Sequence, residues 1–234
     1  MTMKTMTVIA GVLGLAAVAT GCGAGGAASK ATSSYEVPGE VTALRVEADS
    51  GAVELVESDR RAVRVTERLV WHKNKPETRH DVRNGTLDLG FRCPVTFGIG
   101  AVGTECEVSY RVEVPRGLRV EASTDSGDIT LTGLSGEVSA RTDSGAIQAG
   151  GLAGDRVSAA SDSGDVTLAF TGQPHQVTAK NDSGRTVVRV PAGPYKVVAE
   201  TDSGEKKVTA ATSASAARTI DVSSDSGDLE VVTP

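Results

Sequence analysis

The chain contains seven copies of the tripeptide Asp-Ser-Gly, and their spacing constrains the fold more than any other feature. The copies begin at Asp49, Asp125, Asp143, Asp162, Asp182, Asp202 and Asp225. The last six follow one another at 18, 19, 20, 20 and 23 residues. Because a fixed period near 20 residues is typical of stacked-repeat architectures, the sequence predicts an array of small repeating units.

The residues around each tripeptide predict two short β-strands joined by a corner. Apolar residues stand five and three positions before every Asp, six positions after every Asp, and four positions after five of the seven. This alternation buries one face of each strand. Glycine is expected to give the corner its backbone freedom, while the Asp and Ser side chains hydrogen-bond the nearby backbone. We therefore predict an all-β fold, a parallel β-solenoid with coils of about 20 residues.

The repeats also predict the domain organisation. A first unit occupies residues 41–56, and six consecutive coils run from Leu118 to Val232. We expect these coils to stack in chain order at about 4.8 Å per strand. The domain then spans residues 39–234, with a non-repeating insertion at about 60–117 that we expect to cap one end. Inside the insertion, Asn84-Gly85 predicts a hairpin turn.

Composition narrows the class of partner. Only 3% of the residues are aromatic, which suits a thin, layered interior rather than a thick globular core. The formal net charge is -6, so a nucleic-acid partner is not expected. No phosphate loop, nucleotide fingerprint or Ser-His-Asp arrangement is apparent, and we predict no cofactor and no catalytic residue.

The N-terminal segment predicts a lipoprotein signal peptide. Lys4 precedes an apolar stretch from Val8 to Ala19, which as a helix of about 18 Å is too short for a bilayer core of about 30 Å. Ala19-Thr20-Gly21-Cys22 resembles the bacterial lipobox, with Ala19 where Leu is preferred. We expect residues 1–21 to be removed, Cys22 to carry the lipid, palmitate included, and residues 22–38 to form a flexible tether. An ordinary secretory signal with a chance Cys is the alternative.

The other two cysteines predict a disulfide. With Cys22 lipidated outside the cytoplasm, Cys93 and Cys106 remain as an even pair in an oxidising compartment. Closing a loop of this length is worth about 3 kcal/mol in the chain-entropy model. A metal site that adds His72 and His80 is the weaker alternative, because two thiols 13 residues apart lack the close spacing of metal ligands.

The insertion also contains a basic segment in an otherwise acidic protein. Its members, which surround the single Trp, are Trp71, His72, Lys73, Lys75, Arg79 and Arg83. Such a cluster predicts contact with an anionic surface, either phospholipid headgroups or a wall polymer. A solvated hairpin with Trp71 packed as a cap is the alternative. The glycine-rich segment 94–103 is a further candidate contact patch if its apolar residues are exposed.

The repeat Thr-Asp-Ser-Gly-Asp-Ile-Thr-Leu at 124–131, behind a signal peptide, resembles the bacterial putative-adhesin family of β-strand-repeat proteins. The resemblance covers most of the chain from about Val41 onward. It implies a repeat β fold and an adhesin role at the cell surface, for a domain of otherwise unknown function. It supplies no catalytic residues.

Two chemical interpretations of the tripeptide compete with a structural one. Asp-Ser-Gly followed by a small residue, as at Asp49 and Asp143, is also the signature of aspartic proteases, in which two Asp residues share a proton. A ladder of stacked carboxylates is a candidate calcium site. Seven copies in register favour structural turns, and we expect turn N–H and Ser hydroxyl groups to donate to the carboxylates because the nonapeptide of calcium solenoids is absent.

Together these features predict a non-enzymatic lipoprotein on the extracytoplasmic face of the cell membrane, with an adhesin or envelope structural role. Its expected partners are the membrane, through the lipid anchor, and a cell-envelope polymer or protein. The alternatives are an aspartic-type hydrolase and an envelope-stress sensor or partner-binding module.

Overall fold

The computed structural model describes residues 28–94 and 106–234, which form 19 β-strands in two sheets. Sheet A contains, in spatial order, β1 (Ser29–Glu36), β4 (Arg64–Trp71), β7 (Cys106–Val114), β3 (Val53–Glu57), β9 (Ile129–Thr132), β11 (Ile147–Leu152), β13 (Val166–Phe170), β15 (Thr186–Arg189), β19 (Leu229–Val232) and β17 (Lys206–Val208). Sheet B contains β16 (Lys196–Thr201), β18 (Thr219–Ser224), β14 (Gln176–Asn181), β12 (Arg156–Ser161), β10 (Val138–Thr142), β8 (Arg119–Thr124), β2 (Ala43–Ala48), β6 (Thr86–Arg92) and β5 (Glu77–Arg83). Over these two ranges no helix is long and apolar enough to cross a membrane.

Each Asp-Ser-Gly unit gives one strand to each sheet, and equivalent residues of stacked units pair in parallel. In sheet B, Val138 of β10 lies opposite Val120 of β8 on one side and Val157 of β12 on the other. In sheet A, Ile147 of β11 lies between Ile129 and Val166 in the same way. The prediction of an all-β parallel solenoid with Asp-Ser-Gly corners is therefore confirmed.

The core is a column of aliphatic side chains between the two sheets. Strands such as β8 and β10 alternate buried and exposed residues, because successive side chains of a strand point to opposite faces. The inward residues of successive coils stack on one another, and Ile129, Ile147 and Val166 are each fully buried. Tyr110 and Tyr195 are the only aromatic members among the largest fully buried side chains of the described ranges, in keeping with a thin interior.

At one end of the column the coils do not stack in chain order, which corrects the expectation from the sequence. The coil of β18 and β19 lies between that of β14 and β15 and that of β16 and β17. The terminal coil carries Lys206 at the inward position opposite Leu229, where five other coils have Val, Ile or Leu. Because burying an unpaired lysine is costly, this coil is favoured at the end. An inward-pointing charge also protects an open sheet edge.

The non-repeating insertion builds the opposite end of the column. The first unit, β2 and β3, pairs directly with β8 and β9. The insertion then adds a further coil, β6 and β7, on β2 and β3. Beyond it, β4 and β5 pair antiparallel with β7 and β6, and β1 forms the edge of sheet A. Asn84 and Gly85, with φ of 51° and 77°, form the predicted hairpin turn, which is confirmed.

Residues 29–36, which the sequence suggested as part of a flexible tether, form strand β1. The strand pairs antiparallel with β4 over all eight residues. Its one aromatic residue, Tyr35, packs against the core, and the Tyr35 ring centroid lies 4.7 Å from that of His80. The Ser and Thr residues of β1 are compatible with an exposed edge strand.

Candidate functional site

The seven Asp-Ser-Gly corners stack into one continuous edge of the column, here called the corner ridge. In six of the seven corners, the main-chain N–H of the Ser donates to the main-chain carbonyl of the Asp in the adjacent coil, at 2.8–3.0 Å. The pairs are Ser126 to Asp49, Ser144 to Asp125, Ser163 to Asp143, Ser183 to Asp162, Ser226 to Asp182 and Ser203 to Asp225. The corners therefore continue the hydrogen-bond ladders of the sheets around the bend.

The corner glycines are required by the close approach of neighbouring coils. A Cβ atom at Gly127 would contact the carbonyl oxygen of Gly51, and one at Gly145 would contact that of Gly127, both well inside the 3.0 Å that real Cβ atoms respect. Among the seven corner glycines only Gly184 has a positive φ, of 151°. The expectation that glycine mainly provides backbone freedom is therefore wrong for the other six corners.

A ladder of hydroxyl and amide side chains lies directly inside the ridge, and sequence reasoning missed it. The buried Thr142 is typical, because its Oγ1 accepts from the Gly145 N–H at 3.0 Å and donates to the Gly127 carbonyl at 3.1 Å. Equivalent side chains donate to a corner carbonyl of the adjacent coil, namely Thr124, Ser161, Asn181 and Thr201. The available signal was the position before each Asp, which is Thr, Ser or Asn in six of the seven copies.

The corner carboxylates lie on the surface of the ridge. Six of the seven Asp residues are exposed and Asp162 is half-buried. Arg141 lies 3.8 Å from Asp143 and 3.3 Å from Asp162. Within residues 28–94 and 106–234, no Ser hydroxyl or turn N–H donates to these carboxylates, so that expectation is wrong. The Asp residues three positions later accept a main-chain N–H of the adjacent coil instead, at 2.8–2.9 Å, as Asp128, Asp165 and Asp228 do.

The exposed positions of the corner carboxylates allow the protease and calcium interpretations of the tripeptide to be compared with the structural one. Exposure along an open ridge favours the structural interpretation over an aspartic-protease pair, which shares its proton within a single site. The part of the chain that the structure describes contains no group of three or more His, Cys, Asp or Glu residues that could hold a metal ion.

The Cys93–Cys106 disulfide is confirmed, and it replaces an Asp-Ser-Gly corner. The two Cα atoms are 6.1 Å apart. Cys93 follows β6 and Cys106 begins β7, the two strands of the coil that stacks on β2 and β3. A Cβ at Gly51 would contact the Val108 carbonyl of this coil, just as a Cβ added at Gly127 or Gly145 would contact a carbonyl of its adjacent coil. The bond uses both thiols, so the alternative metal site with His72 and His80 is wrong.

The predicted basic cluster divides between two places. Trp71 ends β4 beside the corner ridge, directly opposite Cys106 on β7. The Lys75 ammonium lies 5.7 Å from the Trp71 ring centroid, within range of a cation–π interaction. His72 and Lys73 are exposed in the connection between β4 and β5. We call these four residues, Trp71, His72, Lys73 and Lys75, the apex.

Arg79 and Arg83 lie on β5, on the outer face of sheet B. Their guanidinium groups are 3.9 Å and 3.6 Å from the carboxylate of Asp81. They line a groove of about 310 Å³ together with Arg45, Glu47, Asp81, Asp88 and Leu89. Three arginines and three carboxylates balance there, so this groove is not a basic patch.

A buried polar cluster in the insertion was also missed from the sequence. Glu67 on β4 is only 3% exposed, and its carboxylate accepts a hydrogen bond from the Tyr35 hydroxyl at 2.7 Å. Burial raises the pKa of Tyr35 and of Tyr110 above the usual tyrosine range, and the Glu67 charge adds to both shifts. The buried Tyr110 hydroxyl has no hydrogen-bond partner among the described residues. The signal for this cluster was the polar residue that interrupts the apolar alternation of β4.

Residues 109–232 match the family model Toastrack DUF4097. The chain belongs to the Toastrack family. The resemblance to bacterial adhesin-like repeat proteins is thereby confirmed, and the Toastrack match covers the column from β7 to β19. The strands β1 to β6 and the apex precede the matched residues.

Three solved structures are similar to this chain, and one of them has a TM-score above 0.5. A putative cell adhesion protein from Clostridium sporogenes is 12% identical, with a TM-score of 0.51 over 88% of this chain and 100% of that chain. A putative adhesin from Bacteroides fragilis is 13% identical, with a TM-score of 0.49 over 87% and 97%. A putative lipid binding protein from Parabacteroides distasonis is 11% identical, with a TM-score of 0.42 over 86% and 96%. The Clostridium likeness shows the fold alone. No protein of curated function matches the chain.

Two predicted features of this Toastrack chain lie outside the described residues. They are the lipidation site Cys22 with its signal peptide, and the glycine-rich segment from residue 95 to residue 103.

Proposed function

We propose that this Toastrack protein is a non-enzymatic, adhesin-like protein held on the extracytoplasmic face of the cell membrane by a lipid on Cys22. The observation behind the proposal is that the two sheets pack into one column and that the first strand, β1, lies at one end of it. Ten strands of sheet A, at about 4.8 Å spacing, extend roughly 43 Å from β1 to β17. Such a column holds its outer faces away from the surface to which it is attached.

The grooves on the column support recognition of an extended partner. They lie on the outer faces of the sheets, with volumes of about 310, 420 and 290 Å³. Polar side chains such as Thr130, Gln148 and Thr167 line the sheet A groove together with apolar ones such as Leu131 and Ala149. Broad outer faces of mixed polarity suit an envelope polymer or a protein more than a small apolar ligand, which prefers a concave apolar pocket. The adhesion description of the Clostridium structure agrees with this use.

A paired experiment tests the anchor and the adhesion together. Cells producing the native chain are compared with cells producing Cys22→Ala, a change outside the residues that build the column. We expect the native chain in the membrane fraction and the variant in the soluble extracytoplasmic fraction. Cells with the native chain should also be retained more strongly on surfaces coated with envelope from the same species. Equal membrane recovery would refute the anchor, and equal retention would refute the adhesin role.

A further inference from the structure

We propose that the apex faces the membrane and binds the anionic headgroups of phospholipids, so that the column stands on the bilayer by its Trp71 end. This inference rests on the proposed lipid anchor at Cys22, and it adds an orientation and a second membrane contact to that anchor.

The first argument is where the chain enters the column. Ser29, the first residue of β1, pairs with Trp71, the last residue of β4. Seven Cα–Cα steps separate Cys22 from Ser29, and a fully extended chain of that length spans at most about 25 Å. A lipid on Cys22 therefore keeps the apex near the bilayer, whereas the terminal coil of β16 and β17 lies at the opposite end of the column.

The second argument is that β1 is firmly held, so its position relative to the apex is fixed. Beyond its eight-residue pairing with β4, the strand is held by the Tyr35 hydroxyl, which donates to the buried Glu67 carboxylate at 2.7 Å. The Tyr35 ring also lies against the ring of His80 on β5. A pull on the tether is therefore passed to the strands that bear the apex.

The third argument is the chemistry of the apex. Tryptophan favours the membrane–water interface. A lysine close to an anionic membrane surface is attracted to it. The Lys75 ammonium lies over the Trp71 ring, 5.7 Å from its centroid, so the aromatic and the cationic group of the apex lie side by side. Asn74 donates to the Pro94 carbonyl at 3.0 Å and fixes the connection beside the disulfide.

The fourth argument is the charge of the remaining surface. The corner ridge presents an exposed Asp at six of its seven Asp-Ser-Gly corners, and the whole chain has a net charge of -6. An anionic bilayer repels such a ridge, and it attracts the basic apex at the end of the ridge. The two effects together favour an end-on orientation over one in which the column lies along the membrane.

The only Trp in the chain lies in the apex, so its fluorescence reports on this contact directly. The lipoprotein is extracted from cells in detergent and reconstituted into vesicles of phosphatidylcholine, with or without phosphatidylglycerol, containing dibrominated phosphatidylcholine as the quencher. We expect phosphatidylglycerol to increase the quenching of Trp71. The double variant Lys73→Glu/Lys75→Glu should lose this increase. Lys206→Glu/Lys207→Glu, the same charge change on the exposed β17 at the far end, should retain it.

Each outcome of the quenching experiment decides the inference. Equal quenching in the two double variants overturns it. Protein that floats with the vesicles while Trp71 stays unquenched overturns the orientation and leaves the anchor standing. Protein that does not float with the vesicles overturns the anchor and this inference with it. If Trp71 is unquenched and the Lys73→Glu/Lys75→Glu variant instead loses retention on isolated anionic cell wall, the apex binds wall polymer rather than lipid.

Discussion

Replacing Gly145 by Ala tests the reason for the glycine in every corner. The new Cβ would meet the Gly127 carbonyl oxygen of the adjacent coil, which is backbone and cannot rotate away. To reach the 3.0 Å that real Cβ contacts respect, the two coils have to separate by about 1 Å at this corner. The surrounding ladder of main-chain hydrogen bonds resists that separation.

The expected cost follows from the hydrogen bonds that cross the same interface. They run from the Ser144 N–H to the Asp125 carbonyl at 2.9 Å, from the Thr142 hydroxyl to the Gly127 carbonyl at 3.1 Å, and from the Ala146 N–H to the Asp128 carboxylate at 2.9 Å. A hydrogen bond contributes about 1 kcal/mol net, and a buried group left without a partner costs about 1–3 kcal/mol. We therefore expect Gly145→Ala to lower the free energy of unfolding by about 3–5 kcal/mol.

The same coil offers a matched control at Gly150 in β11, where an added Cβ meets nothing within 4 Å. Gly150→Ala should change the free energy of unfolding by less than about 1 kcal/mol. The change should be an increase, because alanine reduces the conformational freedom of the unfolded chain. Urea unfolding followed by far-ultraviolet circular dichroism measures both variants. Equal costs for the two substitutions would refute the close-approach explanation of the corner glycines.

Three further predictions concern the core, the open end and the response to alkali. Thr142→Val keeps the side-chain shape but leaves the Gly145 N–H and the Gly127 carbonyl without their shared hydroxyl. Urea unfolding should show that the free energy of unfolding falls by about 2–4 kcal/mol, against less than about 1 kcal/mol for Thr142→Ser. Equal losses for the two variants would contradict the stabilising role of the hydroxyl ladder. Lys206→Ile makes the inward position of the terminal coil apolar, so sedimentation velocity should show larger, concentration-dependent species. The outward change Lys207→Ile should not produce them. Identical sedimentation profiles for the two variants would argue against an edge-protecting role of Lys206. Burial holds the pKa of Tyr110 above its unfolded value of 10.0, so the folded protein retains a proton that the unfolded chain loses; the free energy of unfolding is unaffected by this group below pH 10.0 and falls as the pH rises above it. Above pH 10.0, Tyr110→Phe should make the fall in the free energy of unfolding less steep by about 1.4 kcal/mol per pH unit. If the free energies of unfolding of the two proteins depend on pH in the same way, the raised pKa of Tyr110 is contradicted.

The features predicted correctly from the sequence are those set by local, repeated patterns. Alternation with period 2 on both sides of a turn fixes which face of each strand is buried, whatever its neighbour is. The Asn84-Gly85 hairpin is equally local, since it follows from residue type, and the disulfide follows from the even pair of cysteines that remains beside Cys22. The solenoid class therefore follows from the sequence without any knowledge of which coil pairs with which.

The features that sequence reasoning missed depend on which coils become neighbours. The role of the corner glycines becomes apparent only when two corners are stacked, because the clash at Gly145 is with Gly127 of another coil. Burial of Glu67 depends on Tyr35, a residue 32 positions away that sequence reasoning assigned to a tether. Arg79 is close to the apex in sequence, but on β5 its side chain lines the outer groove of sheet B with Arg45 and Asp88, which are distant in sequence.

The exchanged order of the last two coils has a consequence for how the protein folds. A solenoid that adds coils in chain order can grow one layer at a time as the chain emerges. Here β16 and β17 have no native neighbour until β18 and β19 have been made and placed against β14 and β15. The final layers therefore form only in a late step, after the last coil of the chain has been made and the earlier part of the column is complete. Until that step, the exposed edges of β14 and β15 are a site for mispairing between chains.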